Sequence, residues 1–418
     1  MTNNATTNNN ATPERLLLKR ARVVLPARVA DGASILVEGG RIARVLEGAG
    51  LEAAGGLPAP APDVPALDLE GLTVYPGFLD VHIHGAVGVD TLEATAEDLH
   101  SVARFLAARG VTAWLPTLVP APSEDYRRAV AAVSALMHSQ DEWTPAARAV
   151  GVHYEGPFVN LKQCGALRTD YFRTFRDATD LADLPAPDAP GAARMMTLAP
   201  EVEGGVELVG ELARRGWVVS IGHTRADVET LERARAAGAR HMTHFLNAMS
   251  PLHHRAPGPV GWGLIRDDVT VDLIADGVHS DPLMLRLVLR CKTAARVSLI
   301  SDAVAPAGRG DGEYRVWGET IKVSAGRTSN ERGHIAGSVI SMLDAVRMVK
   351  SLGLDETDIA RVASPNPARL LGLDADLGSI EEGKRADLAA LDAEGRVRLT
   401  LVAGRVAFDS LSAGQGKS

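Results

Sequence analysis

The chain has 418 residues, 46% of them hydrophobic, which is enough for one large domain with a sizeable core plus a smaller domain. Its 44 Lys and Arg residues against 52 Asp and Glu give a formal net charge of −8, which argues against nucleic-acid binding and a polybasic membrane surface. The only two cysteines, Cys164 and Cys291, cannot form a disulfide framework and favour a reducing cytoplasm.

Both ends of the chain contain short β-type runs separated by glycine turns. They lie at 15–26, 34–38 and 41–46, and again at 377–380, 386–391 and 396–408. We therefore predict one small β-sandwich domain made from residues 14–71 and 373–412. The Asn- and Thr-rich segment 1–13 is predicted to be a disordered tail, because it has the pattern of neither a signal peptide nor a membrane anchor.

Between residues 72 and 372 apolar runs alternate with amphipathic helical stretches. The eight runs are 78–84, 111–116, 149–155, 194–198, 217–223, 240–244, 269–275 and 296–302. Helical stretches between them include 96–109, 206–215, 226–237 and 282–291. This alternation predicts an α/β fold, a (β/α)8 TIM barrel over 72–372. A doubly wound sheet is the main alternative, but no Gly-x-Gly-x-x-Gly or P-loop motif follows a predicted strand.

Histidines and carboxylates lie at the ends of five of these runs. His82 and His84 are two positions apart, so in a strand their side chains share one face. The ends of four other runs carry Glu155, His223, His244 and Asp302. Because the carboxyl ends of barrel strands meet at one mouth, we expect all these side chains to converge there.

Imidazole and carboxylate ligands suit Zn²⁺, Fe²⁺, Mn²⁺ or Co²⁺, with zinc as the first choice. Glu155, His223 and His244 could hold one ion and leave a position open for water. The His82–His84 pair could hold a second ion bridged by Glu155. Since a bound ion lowers the pKa of water to about 7, Asp302 could take the proton of that water and pass it to a leaving group. These residues predict hydrolysis at a polarised carbonyl or a similar carbon.

The segment after the sixth run offers groups that suit an anion. The backbone N–H groups of Asn247 and Ala248 and the guanidinium of Arg255 could bind one, although a solvated basic loop is the alternative. His279 follows the seventh run and is expected to contact substrate at the mouth. His153 is expected to be structural, on the strand face opposite the metal site. Three further histidines, His100, His138 and His334, are expected on the surface or in loops.

Several motifs follow one another in order along the chain. They include Pro-Gly-Phe-Leu-Asp-Val-His-Ile-His (76–84), His-Tyr-Glu-Gly-Pro-Phe (153–158), Thr-His-Phe-Leu-Asn-Ala-Met (243–249), Ala-Asp-Gly-Val-His (275–279) and Asn-Pro-Ala-Arg (366–369). In this combination the chain resembles the amidohydrolase superfamily and, more narrowly, the N-acetylglucosamine-6-phosphate deacetylase family.

This resemblance implies hydrolysis of the acetamide of a phosphorylated amino sugar, which gives acetate and the free amine. It implies a metal site of Glu155, His223 and His244, and Asp302 as the catalytic acid and base. Substrate contacts would come from Ala166, Asn247, Ala248, Arg255, His279 and the acyl-side loop of Ile335, Ala336 and Gly337. Family members are usually homodimers, and the partner can complete the phosphate pocket.

Two positions depart from the family pattern. Leu167 stands where a substrate-facing histidine is usual, and Ala256 stands where a glutamate usually follows the arginine. A leucine cannot donate a hydrogen bond, so our hypothesis is that a second ion replaces the missing histidine as the electrophile. Without the glutamate, Arg255 is less firmly held.

Other functions stay open at this point. The same metal core could serve N-acetylgalactosamine 6-phosphate, a cyclic amide or an N-acyl amino acid. A non-catalytic scaffold is disfavoured, because such a protein would be expected to lose ligands and all of them remain here.

Overall fold

The structure is a computed structural model that describes residues 14–47 and 64–411. The tail predicted over 1–13 lies outside these residues. The described strands, in chain order, are β1 (Arg15–Val24), β2 (Val29–Glu38), β3 (Arg41–Leu46), β4 (Ala66–Asp68), β5 (Thr73–Pro76), β6 (Phe78–Ile83), β7 (Gly85–Ala86), β8 (Val89–Asp90), β9 (Val111–Leu118), β10 (Arg148–Ala149), β11 (Gly151–Glu155), β12 (Ala193–Leu198), β13 (Val218–Ile221), β14 (His241–Met242), β15 (Thr270–Ile274), β16 (Val297–Ile300), β17 (Gly312–Val316), β18 (Glu319–Ser324), β19 (Arg327–Ser329), β20 (Leu388–Leu391), β21 (Val397–Val402) and β22 (Arg405–Asp409).

The α-helices lie mainly between the strands of the central region. In chain order they are α1 (Ala96–Ala107), α2 (Ser123–Ser139), α3 (Gly205–Arg214), α4 (Val228–Ala237), α5 (Gly258–Ile265), α6 (Pro282–Lys292), α7 (Met342–Ser351), α8 (Glu356–Ala363) and α9 (Pro365–Leu370). Helix α1 begins with a capping box, in which Thr95 accepts from the backbone of Asp98 and Asp98 accepts from that of Thr95. Within the described residues, we find no helix with the length and apolar character needed to cross a membrane.

The predicted barrel is confirmed. Strands β6, β9 and β11 to β16 pair in parallel with their neighbours in chain order. Both β6 and β9 are buried along their whole length, which explains why they appear in the sequence as continuous apolar runs. The ring is closed where the backbone N–H of Asp302 donates to the His82 carbonyl at 2.9 Å and that of His84 donates to Ala303 at 2.8 Å.

The two ends of the chain form a second β-rich unit, as predicted. Its strands make one continuous mixed sheet in the order β22-β21-β20-β5-β1-β2-β3, with β4 paired to β1. Leu18, Ile35 and Val74 from the N-terminal part pack with Leu388 and Leu401 from the C-terminal part in a separate apolar core. Strand β5 leads directly into barrel strand β6, so the small sheet and the barrel share one continuous segment.

A small antiparallel sheet of β17, β18 and β19 is inserted after the eighth barrel strand. The sequence analysis did not predict it. Its strands are short and largely exposed, so the apolar periodicity that marks the barrel strands is weak there. The position of this insertion matters because it lies at the mouth of the barrel.

Candidate active site

All five predicted metal ligands and the predicted acid/base meet at the carboxyl ends of the barrel strands. Glu155 Oε1 lies 2.9 Å from the Nε2 atoms of both His223 and His244. The two Nε2 atoms are themselves 3.1 Å apart. These three buried residues form a compact group of nitrogen and oxygen donors of a kind that can hold a metal ion.

A second donor group shares Glu155 with the first. His82 Nε2 and His84 Nε2 are 3.2 Å apart, and His84 Nε2 lies 3.2 Å from Glu155 Oε2. Asp302 Oδ1 is 3.3 Å from His84 Nε2 and 3.5 Å from His82 Nε2. The histidine pair, the shared glutamate and Asp302 therefore surround one small volume, and the donor set fits one or two divalent ions.

The hydrogen bonds on the outer side of the histidine rings support this fit. His223 Nδ1 lies 2.7 Å from the Gln163 carbonyl, and His84 Nδ1 lies 3.2 Å from the Thr117 carbonyl. A carbonyl can only accept, so each Nδ1 carries a proton, and Nε2 is the ring nitrogen whose lone pair is available to a cation at the centre. There the Nε2 atoms face carboxylate oxygens, an arrangement that needs a positive charge between them, either a metal ion or a proton.

The electrostatics of the site show the same demand for positive charge. Although burial opposes protonation, hydrogen bonds to Asp302 and Glu155 raise the pKa of His84 to about 10. Burial also opposes protonation of His244, and the Glu155 carboxylate raises its pKa to about 9. Burial raises the pKa of Glu155, but the surrounding histidines hold it well below its ordinary range. In the absence of a metal, the carboxylates draw protons onto the imidazoles.

Three of these site residues have left-handed backbone conformations. The φ angles are +47° at His223, +30° at His244 and +49° at Asp302. Residues other than glycine seldom adopt such angles, because each costs about 1 to 3 kcal/mol of conformational free energy. Residues strained in this way cluster at functional sites. Each residue lies two positions beyond the end of a barrel strand, and its side chain lines the mouth.

A buried carboxylate behind the site fixes the position of His244. Asp272 accepts a hydrogen bond from the backbone N–H of His244, and its Oδ2 lies 2.9 Å from His241 Nε2. Thr243 Oγ1, 3.4 Å from the same Oδ2, is also 2.9 Å from His82 Nδ1. One network on β15 therefore supports residues of both donor groups.

The donor groups open into a cavity of about 260 Å³, which we call the mouth cavity. Predicted site residues that line it are His84, Glu155, Ala166, His223, His244, Asn247, Ala248, His279, Asp302, Ile335 and Gly337. His279 is oriented by Asp276, whose Oδ2 lies 2.7 Å from His279 Nδ1. Burial raises the pKa of Asp276, but the hydrogen bond from His279 outweighs it and the pKa lies below its ordinary value.

Three predicted site residues do not line the mouth cavity. His82 and Ala336 are fully buried. Arg255 lies on an exposed loop, where its guanidinium is 2.8 Å from His254 Nε2. The expectation that Arg255 reaches the substrate site is therefore not met within a single chain.

The expectation that His153 faces away from the metal site is wrong. His153 and Glu155 are two residues apart on β11 and therefore share a strand face. The His153 ring packs edge-on against His82, with centroids 4.7 Å apart, and its Nε2 lies 2.8 Å from Thr197 Oγ1. His153 belongs to the layer of side chains directly beneath the site.

Two residues of the mouth cavity were not anticipated. His334, which we placed among surface or loop histidines, is exposed but lines the cavity, and its Nδ1 is 2.9 Å from the Gly165 carbonyl. Trp317, at the tip of the β17–β18 hairpin, lines it as well. Leu167 also lines the cavity and is buried among apolar residues. No local sequence signal distinguishes His334 or Trp317. Both lie after the eighth barrel strand, outside the apolar runs whose ends mark the other site residues.

Comparison with known proteins agrees with this geometry. Residues 73–407 match the family model described as the amidohydrolase family. The chain is 35% identical to N-acetylglucosamine-6-phosphate deacetylase from Bacillus subtilis (strain 168) over 343 residues, which cover 82% of this chain and 86% of that protein. It is 36% identical to N-acetylgalactosamine-6-phosphate deacetylase from Escherichia coli O157:H7 over 333 residues, covering 79% and 87%.

The chain belongs to the amidohydrolase family. Within it, the chain is a member of the N-acetylglucosamine-6-phosphate deacetylase family. Among solved structures, an aspartate-to-alanine variant of the Mycobacterium smegmatis deacetylase in complex with N-acetyl-D-glucosamine-6-phosphate aligns with a TM-score of 0.83 and 31% identity. That alignment covers 94% of this chain and 99% of the other. As in other amidohydrolases, the buried His and Glu residues form a site suited to divalent metal.

Proposed function

We propose that this amidohydrolase deacetylates N-acetylglucosamine 6-phosphate to glucosamine 6-phosphate and acetate. The observation that carries the proposal is the meeting of two donor groups, which share Glu155, with Asp302 at the floor of the mouth cavity. A divalent ion held by Glu155, His223 and His244 would supply Lewis-acid polarisation of the acetamide carbonyl and lower the pKa of water. Zinc is the ion that this donor set favours.

Asp302 is the proposed proton carrier. Burial raises the pKa of its carboxyl group, but the neighbouring His82 and His84 lower it below its ordinary value, so the group is ionised and able to accept a proton. Water adds to the acetamide carbon and gives its proton to Asp302. The carboxyl group then passes that proton to the amide nitrogen as the carbon–nitrogen bond breaks. The second proton of the water passes from the new carboxylic acid to the amine, so the products are acetate and the protonated amine.

The polar side of the mouth cavity suits the sugar phosphate. Asn247 and Ala248 follow the sixth barrel strand, and His279 follows the seventh. Because Asp276 holds His279 Nδ1, the other ring nitrogen is free to contact a sugar hydroxyl or phosphate oxygen. These groups favour a phosphorylated amino sugar over a cyclic amide or an N-acyl amino acid.

Arg255 is proposed to serve the cavity of a second copy, since it does not line the cavity of its own chain. This requires a homodimer, which the family resemblance implies. Arg255→Met and Asp302→Asn chains are each expected to have low activity. Mixed dimers of the two should regain activity, because one cavity then combines an intact Asp302 with the Arg255 of the partner. No recovery on mixing would contradict a contribution from the partner.

The decisive experiment compares substrates on purified protein whose metal content has been measured. N-acetylglucosamine 6-phosphate should be hydrolysed with a much higher kcat/KM than its unphosphorylated form. Equal activity on both would remove the role of the phosphate. Activity only on cyclic amides or N-acyl amino acids would overturn the proposal while leaving the amidohydrolase assignment intact.

N-acetylgalactosamine 6-phosphate is the second candidate substrate. The 36% identity to the Escherichia coli O157:H7 galactosamine enzyme is comparable to the 35% identity to the Bacillus subtilis glucosamine enzyme, so identity does not separate the two epimers. Measuring kcat/KM for both phosphorylated sugars in the same assay would assign the preference.

A further inference from the structure

The tip of the β17–β18 hairpin carries an unfavourable residue. Trp317 and Gly318 form its two-residue turn, with φ angles of +53° and +80°. Turns with two positive φ angles favour Asn-Gly, and a bulky aromatic side chain is uncommon at the first position. Such a conformation persists where the surrounding structure holds it, and it marks a candidate functional position.

The Trp317 side chain is directed into the mouth cavity. Only 8% of the residue is exposed. Its ring packs edge-on against His84, with centroids 5.3 Å apart and an angle of 84° between the planes. It therefore forms an aromatic wall beside the second donor group.

This wall is fixed relative to Asp302. Thr328 Oγ1 on β19 donates to the Gly337 carbonyl at 2.5 Å, and the neighbouring Ser338 N–H donates to the Asp302 carbonyl at 2.7 Å. A side chain at Gly337 would place its Cβ 2.9 Å from that same carbonyl, so the contact requires glycine. The sheet of β17, β18 and β19, whose hairpin carries Trp317, is thus linked to the backbone of Asp302 by two hydrogen bonds through residues 337 and 338.

The order of the barrel strands sets the direction of the substrate. Asn247 and His279 follow strands six and seven, Asp302 follows strand eight, and Trp317 lies against His84 on strand one. If the polar sugar phosphate lies on the side of strands six and seven, the amide bond that is broken lies next to the Asp302 carboxylate. The acyl carbon chain then points towards Trp317.

We propose that Trp317 closes the acyl subsite and restricts the enzyme to acetyl amides. This inference rests on the proposed function, because it requires an acylated amino-sugar phosphate as substrate. A rigid indole at this wall leaves no room for additional methylene groups. One methylene in such a pocket typically changes kcat/KM by about 10- to 200-fold.

The test measures kcat/KM for the N-acetyl, N-propionyl and N-butyryl forms of the same amino-sugar phosphate. The wild type should show a steep decline with acyl length. In Trp317→Asn, which supplies the favoured Asn-Gly turn, the acetyl-to-butyryl ratio should fall by about tenfold or more. Trp317→Leu should give an intermediate ratio and Trp317→Phe a ratio close to the wild type. Lys322→Ala, an exposed position on β18, is the matched control and should keep the wild-type ratio.

The outcomes separate the role of Trp317 from the proposed function. A wild type that hydrolyses all three acyl forms equally would overturn the inference without any variant. A folded, metal-loaded Trp317→Asn or Trp317→Leu enzyme with an unchanged ratio would overturn it too. If the wild type hydrolyses no acylated amino-sugar phosphate at all, the proposed function fails rather than the role of Trp317. A ratio, unlike an overall rate, is not expected to move through a general loss of stability.

Discussion

Asp302 is the residue whose replacement most directly tests the chemistry. The variant Asp302→Asn keeps the shape of the side chain but cannot take up a proton. We predict that kcat falls by about 10² to 10⁴, while the ion held by Glu155, His223 and His244 stays bound. Steady-state kinetics and metal analysis measure the two quantities. The exposed Asp31→Asn in the small sheet is the control and should behave as the wild type. Wild-type kcat in Asp302→Asn would exclude Asp302 as the proton carrier.

The His82–His84 pair tests whether a second ion compensates for Leu167. We predict two ions per chain in the active enzyme, and one ion with a reduced kcat in His84→Ala, because this ring nitrogen contacts Glu155 and Asp302 directly. Metal analysis together with kinetics gives the answer. The hypothesis is refuted if the active protein holds one ion per chain and both His82→Ala and His84→Ala are harmless.

His334 provides a separate comparison at the same scale. This imidazole also lines the mouth cavity, and its Nδ1 is held by the carbonyl of Gly165, two residues before Leu167. If the second ion is the electrophile, His334→Ala should leave the ion count unchanged and affect KM more than kcat. A loss of kcat comparable to that of His84→Ala, without loss of metal, would instead assign carbonyl polarisation to His334.

At the scale of elements, Lys292 joins the ends of two helices. It is the last residue of α6, is 1% exposed, and its ammonium donates to the carbonyls of Gly263, Arg266 and Val269. The first two carbonyls lie at the end of α5, where a positive charge is favourable. Lys292→Met leaves these acceptors unpaired, and we predict a loss of about 3 kcal/mol in the free energy of unfolding. Chemical denaturation measures the loss, and Lys322→Met on the exposed hairpin should show almost none.

Lys292 also predicts a pH dependence. Burial, assisted by Arg296, lowers its pKa from 10.5 to about 8 in the folded protein. The folded state loses this proton first, so between about pH 8 and 10.5 the unfolded chain binds more protons. The free energy of unfolding of the wild type, relative to Lys292→Met, should therefore increase with pH across this window. A difference that stays constant or shrinks from pH 8 to 10.5 would show that the lysine pKa is not lowered.

At the scale of the molecule, the small sheet joins both ends of the chain to the barrel. Strand β20 pairs with β5, and β5 continues into β6, which carries the first ligand pair. A chain that ends at residue 372 loses β20, β21 and β22 and exposes the apolar core that Leu388 and Leu401 share with Leu18 and Ile35. We predict that this chain does not unfold cooperatively and aggregates, although every barrel strand is retained.

Thermal unfolding, soluble yield and metal content measure the effect of this truncation. A chain that ends at residue 411 keeps every described strand and serves as the control. Cooperative unfolding and normal metal content in the chain ending at 372 would show that the barrel is independent of the small sheet.

The sequence alone determined the barrel, the two-ended β domain and the convergence of the ligands. These features depend on local patterns, because a buried parallel strand must be apolar along its length and its carboxyl end faces the mouth. The pattern also placed Glu155, His223, His244 and Asp302 at strand ends, where the structure brings them together. The roles of these residues stay predictions until they are measured.

The tertiary structure decided which loop residues reach the cavity. Trp317 and His334 contact it because a hairpin and a loop from distant parts of the chain fold over the mouth, whereas Arg255 points to the exterior of its own chain. The spacing of His153 and Glu155 along β11 already places them on one strand face, and the tertiary structure adds the contact of His153 with His82. Loop positions depend on contacts between segments that are far apart in sequence, and no periodicity within a segment encodes those contacts.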